Sequence, residues 1–319
     1  KEKANESARQ VLFIITAISL AVSLICLIFQ KPLLGLIFGS VDAEVMRASE
    51  TYFFYTALSF PFIAAYDSAA SIFRSQDNTR GPMLISMISN VMNIVGNAVM
   101  IWGFHMGVTG AALSTLISRV FCAVVVLIQL RKDRQEIVVR DYFKIRPNWS
   151  MIRRILGIGI PSGVENSMFQ LGKLAIQSTV STLGTAAIAA QAMTNILENL
   201  NGIAAIGVGV GLMTIVGQCL GAGKKDEAVY YIKKLCVIAE IVVLVSCLVV
   251  FALTKPVTIL GGMEKQSADM CFHMVMCITI VKPFVWTMAF IPGYGLRAAG
   301  DVRFSMITSC CTMWACRFC

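Results

Sequence analysis

The run VLFIITAISLAVSLICLIF, Val11–Phe29, carries no charge over a length that nearly crosses a bilayer as helix. Spanning the hydrocarbon core takes roughly 20 apolar residues. Comparable runs recur, among them MLISMISNVMNIVGNAVMIW from Met83 and IVVLVSCLVVFAL from Ile241. In lipid every backbone polar group must be bonded internally, so runs of this length can only be helices. The pattern predicts spans near 10–30, 51–73, 82–103, 108–130, 156–183, 185–218, 230–252 and 268–296, with a ninth from 304 to the end. Charged residues are only 14% of the chain, against roughly 25% in soluble domains, and mean hydropathy is +0.74. The chain reads as an all-α polytopic membrane protein.

A net charge of +9 invites nucleic acid as a partner. The distribution of Lys and Arg argues against it. Assigned to alternate sides of nine spans, nineteen basic residues fall on one side and four (Lys31, Arg47, Lys255, Lys265) on the other. This is the positive-inside bias, and it places the basic side in the cytoplasm. Membrane lipids are thus the expected surroundings, and nucleic acid is not an expected partner.

The chain also repeats itself. FRSQDNTRGPM (Phe73–Met83) returns 223 residues later as LRAAGDVRFSM (Leu296–Met306), with Arg74 on Arg297, Arg80 on Arg303 and Met83 on Met306. QKPLLGLIFG from Gln30 answers TKPVTILGG from Thr254 at a similar offset. So long a period means a duplicated bundle rather than a solenoid. Six spans, an even number, separate the two Arg loops, so the copies are parallel repeats about an axis along the membrane normal. Two six-helix lobes follow. Residues 1–130 are read as helices three to six of the first lobe, 131–155 as a basic cytoplasmic linker, and 156–319 as helices seven to part of eleven. The first two helices, the end of the eleventh and the twelfth are expected outside this chain, which begins on Lys rather than Met. Arg74 and Arg297 are read as gating residues of the repeated cytoplasmic loop.

Ionisable residues deep in a span are costly and usually line a cavity or pathway. After the linker, Ser162, Glu165, Asn166, Gln170, Lys173 and Gln177 recur at steps of one, three or four and drift onto one helical face. The next span carries Gln191, Asn195, Glu198 and Asn199. In the first lobe Asn90, Asn93 and Asn97 form a stripe, with Asp67 one span earlier, near its cytoplasmic end. Amides also hold membrane helices together, so the Asn stripe alone leaves packing and cavity open. Counted from a turn near Gly184, Lys173 and Glu198 both lie roughly 16–21 Å deep, and they are expected to approach each other, directly or through water. Lys282, beside Pro283, fits either a cavity wall or a buried structural pair.

Several motifs lead nowhere. GVGVG (Gly207–Gly211) and GAGKK (Gly221–Lys225) lack the preceding strand and the spacing of a phosphate loop. Gly207/Gly211 and Gly217/Gly221 instead suit close helix contact. With only His105 and His273 there is no HExxH, and no GxSxG is present. Cys316 and Cys319 form a CxxC within a lipid-buried helix, where cysteine acts as a small hydrophobe. No metal site, organic cofactor or enzyme activity is expected.

Taken in order, FRSQDNTRGPM, NIVGNAVMIWGFHMGVTGAALST, GIGIPSGVENSMFQLGKL, VGQCLGAGKKDEA, GLRAAGDVRF and TMWACRFC cover nearly the whole chain. This set resembles the multidrug and toxic compound extrusion (MATE) family of the flippase-like exporters. The resemblance implies twelve helices in two lobes. It also implies a secondary antiporter of the plasma membrane (the bacterial inner membrane) that exports organic cations and drugs for H⁺ or Na⁺ by alternating access. A monomer is the expected assembly. Asn93 and Asn97 match an Asn-xxx-Asp pair that some members use beside a proton site, but Asn97 cannot titrate. Glu165 stands four residues after Pro161, about one turn from the place of a cation-binding Glu in the seventh helix of some members. Glu165, Asn166, Gln170, Lys173, Gln191, Asn195, Glu198, Asp67, Asn93 and Asn97 are thus the candidate cation-coupling and substrate residues. A lipid-linked oligosaccharide flippase of related fold is the alternative. It needs a large cationic cavity, whereas most basic residues here belong to loops.

Overall fold

A computed structural model describes residues 2–38, 43–131, 137, 147–181 and 183–318, and every regular element among them is a helix. The nine expected spans appear as α1 (Glu2–Ile28), α3 (Ala43–Ser75), α4 (Arg80–Ala98), α5 (Gly107–Leu130), α6 (Trp149–Ser181), α7 (Thr185–Gly221), α8 (Lys225–Leu260), α9 (Lys265–Ala299) and α10 (Val302–Phe318). A further helix, α2 (Gln30–Phe38), follows α1 after a break at Phe29. Pro32 has no N–H to offer the Ile28 carbonyl, and α1 ends at that residue. The equivalent Pro256 is carried inside α8, so the proline permits a break without dictating one.

Among the described residues six helices are long and apolar enough to cross a membrane by themselves: α1, α4 with its π-helical end Val99–Gly103, α5, α7, α8 and α9. The other three expected spans are helical but fall short of that measure. α3 and α6 are interrupted by polar residues, and α10 has 17 residues. Most of the basic linker, and the side chains of Cys316 and Cys319, lie outside the described residues.

Lys1–Ile155 and Leu156–Cys319 form two compact units. In the first, α3 packs against α1 and α5, and α4 lies on α5. Leu12, Phe73, Ile85, Val126 and Leu130 make its core. In the second, α7, α8 and α9 pack on one another around Leu197, Val250 and Cys271 at one level and Leu212, Ala239 and Ile291 at another. Val91, Ile94, Ile203 and Leu248 remain more than 60% exposed. Apolar surface that continuous is what a lipid-facing bundle presents.

The repeat is visible in the backbone. α3 and α9 start 222 residues apart and end 224 apart. α1 packs on α3 as α8 packs on α9. Even the helix ends agree. Asp77 N–H donates to the Arg74 carbonyl at 3.1 Å and Asn78 N–H to that of Phe73 at 3.0 Å. Gly300 N–H donates to Arg297 at 3.1 Å and Asp301 N–H to Leu296 at 3.0 Å. Both caps place one residue in the left-handed region, Asp77 at φ 58° and Gly300 at φ 87°. The duplicated charged stretch is therefore a duplicated helix stop. Arg74 and Arg297 belong to the last turns of α3 and α9, not to loops as the sequence reading expected.

The glycine reading needs a similar correction. A Cβ at Gly207, Gly211, Gly217 or Gly221 would meet nothing within 4 Å among the described residues. The close approach is at Gly209, where a Cβ would lie 2.6 Å from the Tyr294 ring. Spacing alone did not reveal which face of α7 meets α9.

Candidate functional site

On α6, Glu165, Phe169 and Lys173 follow at intervals of four and share one face. Opposite them α9 presents Lys282, Trp286, Phe290, Tyr294 and Arg297, again at helical spacing. Glu165 Oε1 pairs with Arg297 Nη2 at 2.9 Å, the two side chains being 11% and 21% exposed. Glu165 Oε2 and Arg297 Nε are buried without a hydrogen-bond partner among the described residues. Arg297 also lies over the Tyr294 ring at 5.5 Å.

Above that pair runs a chain of aromatic contacts. Phe169 meets Phe290 edge-on at 5.8 Å, and Phe290 stacks on Trp286 at 5.0 Å. A cation sits at each end: Lys173 Nζ is 5.0 Å from the Phe169 ring, and Lys282 Nζ is 5.5 Å from Trp286. Lys282 is buried at 7% exposure, and its Nζ donates to the Glu198 backbone carbonyl at 3.4 Å. The charges of Glu198 and Lys173 both act on it. Among the described residues Lys173 and Glu198 form no direct ion pair. Lys282, from the third helix of the group, takes the place beside Glu198.

The polar stripe of α6 is divided by the helix's own geometry. Glu165 turns to α9, whereas Asn166 and Gln170 line an open groove of about 440 Å³ with Ser167, Leu171 and Leu174. Asn166 Nδ2 is bonded within its own helix, to the Ser162 carbonyl at 2.9 Å. Gln191 and Asn195 lie half-buried on α7.

In the first unit Asn93 ties α4 to α5. Its Nδ2 donates to Thr115 Oγ1 at 3.3 Å and to Ser118 Oγ at 3.5 Å, and its Oδ1 accepts from Asn97 at 3.3 Å. Asn97 Oδ1 is buried without a partner among the described residues. Beside this network is a cavity of about 260 Å³ lined by Tyr66, Asn90, Asn93, Thr115, Ser118 and Arg119, among others. Asp67 does not line it. That residue is exposed on α3, and the charge acting on it is that of Arg74.

Three ionisable groups escaped the sequence reading or were left unassigned: Arg119, Glu240 and Lys282. Each is a single charge in an apolar run, which is the signal that marks such residues. Glu240 Oε2, on α8, is buried without a partner among the described residues. The aromatic chain carried no local signal, since Phe and Trp in a span also fit lipid or core.

Comparison with known proteins follows the same lines. A family model described as MatE matches residues 1–99 and 161–318. The probable multidrug resistance protein NorM of Thermotoga maritima is 25% identical over 288 residues, 88% of this chain and 61% of its own length. The multidrug export protein MepA of Staphylococcus aureus is 23% identical over 293 residues, 90% of this chain and 62% of its own. This chain thus spans about three-fifths of the curated relatives it matches. A crystal structure of MATE in the straight conformation superposes with a TM-score of 0.86 at 18% identity, over 99% of this chain and 70% of that one. At that identity the likeness carries the fold.

Proposed function

This chain belongs to the MatE family, and from that premise we propose that it serves a secondary active antiporter exporting organic cations and drugs across the plasma membrane in exchange for H⁺ or Na⁺. The family is one of transporters, not enzymes, and the relatives' names speak of multidrug resistance and export. One observation supports the reading further: Glu165 is a largely buried carboxylate with one oxygen on Arg297 and the other without a partner among the described residues. Such a group suits a proton, a Na⁺ ion or an organic cation. An exporter needs its two ligands to prefer opposite-facing states, because a ligand with equal affinity for both shifts nothing. A carboxylate meets that need by holding the substrate cation when ionised and releasing it when protonated or Na⁺-bound.

The test is efflux of a fluorescent organic cation from cells expressing the intact protein, under imposed Na⁺ or pH gradients. Glu165→Gln abolishes gradient-driven efflux with expression unchanged, and Asp67→Asn does less harm. Wild-type efflux from a well-folded Glu165→Gln protein moves the coupling site elsewhere.

A further inference from the structure

Arg297 lies in the last turn of α9, just before the left-handed stop at Gly300. Backbone groups make that stop: Gly300 N–H donates to the Arg297 carbonyl at 3.1 Å and Asp301 N–H to that of Leu296 at 3.0 Å. The same pattern of bonds closes α3, where the Arg74 side chain turns back to Ser71 Oγ. A charged side chain at this place is thus not needed to end the helix. In α9 it crosses to another helix and meets Glu165 Oε1 at 2.9 Å.

The backbone that carries Arg297 is held on two sides. Tyr294, one turn back, packs on α7 so closely that a Cβ at Gly209 would lie 2.6 Å from its ring. A Cβ at Gly295 would lie 3.0 Å from Ile232 of α8. From so fixed a base the side chain can swing without its helix moving. Two resting places are within its reach: the Glu165 carboxylate, and the Tyr294 ring at 5.5 Å, whose π face attracts a guanidinium. At 21% exposure the Arg297 side chain also touches solvent, so it can leave the carboxylate and keep its charge in water. Glu165, at 11%, is more enclosed. Partly buried charges are screened little by salt, so a cation approaching Glu165 competes directly with Arg297. A guanidinium is planar, delocalised and weakly hydrated, which makes it the chemical likeness of an organic cation.

We propose that Arg297 is a built-in competitor for Glu165: it holds the carboxylate when no cation is bound, and an organic cation binds by displacing it. This rests on the reading of Glu165 as the coupling carboxylate and adds a specificity-determining residue to it. A guanidinium seated about nine-tenths of the time lowers the apparent affinity of a rival cation about tenfold. It also assists release, because its return spares the departing cation from leaving a bare buried charge behind. The experiment is fluorescence titration of the purified intact protein with ethidium, beside ethidium efflux from cells. Arg297→Gln is expected to bind ethidium about tenfold more tightly than wild type, while its maximal efflux rate falls. Affinity and rate moving in opposite directions is the mark of displacement, and damaged packing does not produce it. On a Glu165→Gln background, Arg297→Gln should leave ethidium affinity within about twofold, since the two no longer act on a shared carboxylate. Should Arg297→Gln fail to fold, Arg297→Lys serves: its ammonium lacks the fork, and it should bind ethidium more tightly than wild type by a smaller factor. The proposal is overturned if the folded Arg297 variants bind ethidium as wild type or more weakly. It is equally overturned if Arg297→Gln tightens binding as much without Glu165 as with it. A Glu165→Gln protein that binds and exports ethidium as wild type sinks the coupling reading and this one together. Weakened binding in Glu165→Gln beside no tightening in Arg297→Gln sinks this one alone.

Discussion

The Arg297 guanidinium meets the Glu165 carboxylate at 2.9 Å, joining the last turn of α9 to the middle of α6. Among the described residues its repeat counterpart Arg74 has no such partner across helices and donates to Ser71 Oγ, one turn back on α3, at 2.8 Å. Backbone symmetry has been kept where side-chain pairing has diverged. In the second unit the arginine is a tethered cation already seated on the candidate coupling carboxylate.

Breaking half of that pair should cost more than removing all of it. A lone charge left where its partner was costs on the order of 3 kcal/mol, whereas an apolar replacement of both is often neutral. Thermal unfolding in detergent should therefore rank Arg297→Met below the Arg297→Met/Glu165→Leu double variant. A double variant as unstable as the sum of its singles would show that the pair is not coupled.

Lys282, rather than Lys173, should couple to Glu198. Lys282→Met and Glu198→Gln are expected to be non-additive in a double-mutant cycle read by unfolding temperature. The cycle of Lys173→Met with Glu198→Gln should be near additive, because Lys173 rests on Phe169. Stronger coupling at Lys173 would reverse the assignment.

Gly209→Ala should destabilise by about 1–3 kcal/mol, the usual cost of overpacking, since its Cβ would lie 2.6 Å from the Tyr294 ring. Gly207→Ala and Gly211→Ala meet open space and should gain up to about 1 kcal/mol from helix propensity. Equal effects at the three positions would place the α7–α9 contact elsewhere.

The two helix stops offer a matched pair. Gly300→Ala forces a Cβ into a left-handed conformation at φ 87° and should cost roughly 1–2 kcal/mol. Asp77→Gly relieves a smaller strain at the equivalent place and should be neutral or stabilising. Chemical unfolding of both variants checks the sign of each.

The orientation implied by nineteen basic residues against four is open to cysteine labelling in a background stripped of native thiols. An impermeant reagent applied to whole cells should label positions 104–107 and 183–184 and leave 131–154 unlabelled. Labelling of the linker from outside would invert the topology.

Helices were legible in the sequence because their cause is local: in lipid an apolar run has no other way to bond its backbone. The repeat was legible too, since the offset between FRSQDNTRGPM and LRAAGDVRFSM carries over to the bounds of α3 and α9. Glu165 stood out as a charge in an apolar run, but its partner did not. Whether Arg297 serves a loop or reaches α6 depends on where α9 stops and which way its last turn faces, and both emerge only when helices pack. The same holds for Lys282 beside Glu198 and for Gly209 beneath Tyr294. Sequence period assigns residues to a face of their own helix. Only the tertiary structure decides which neighbour that face meets, because that choice is made by side chains far apart in the chain.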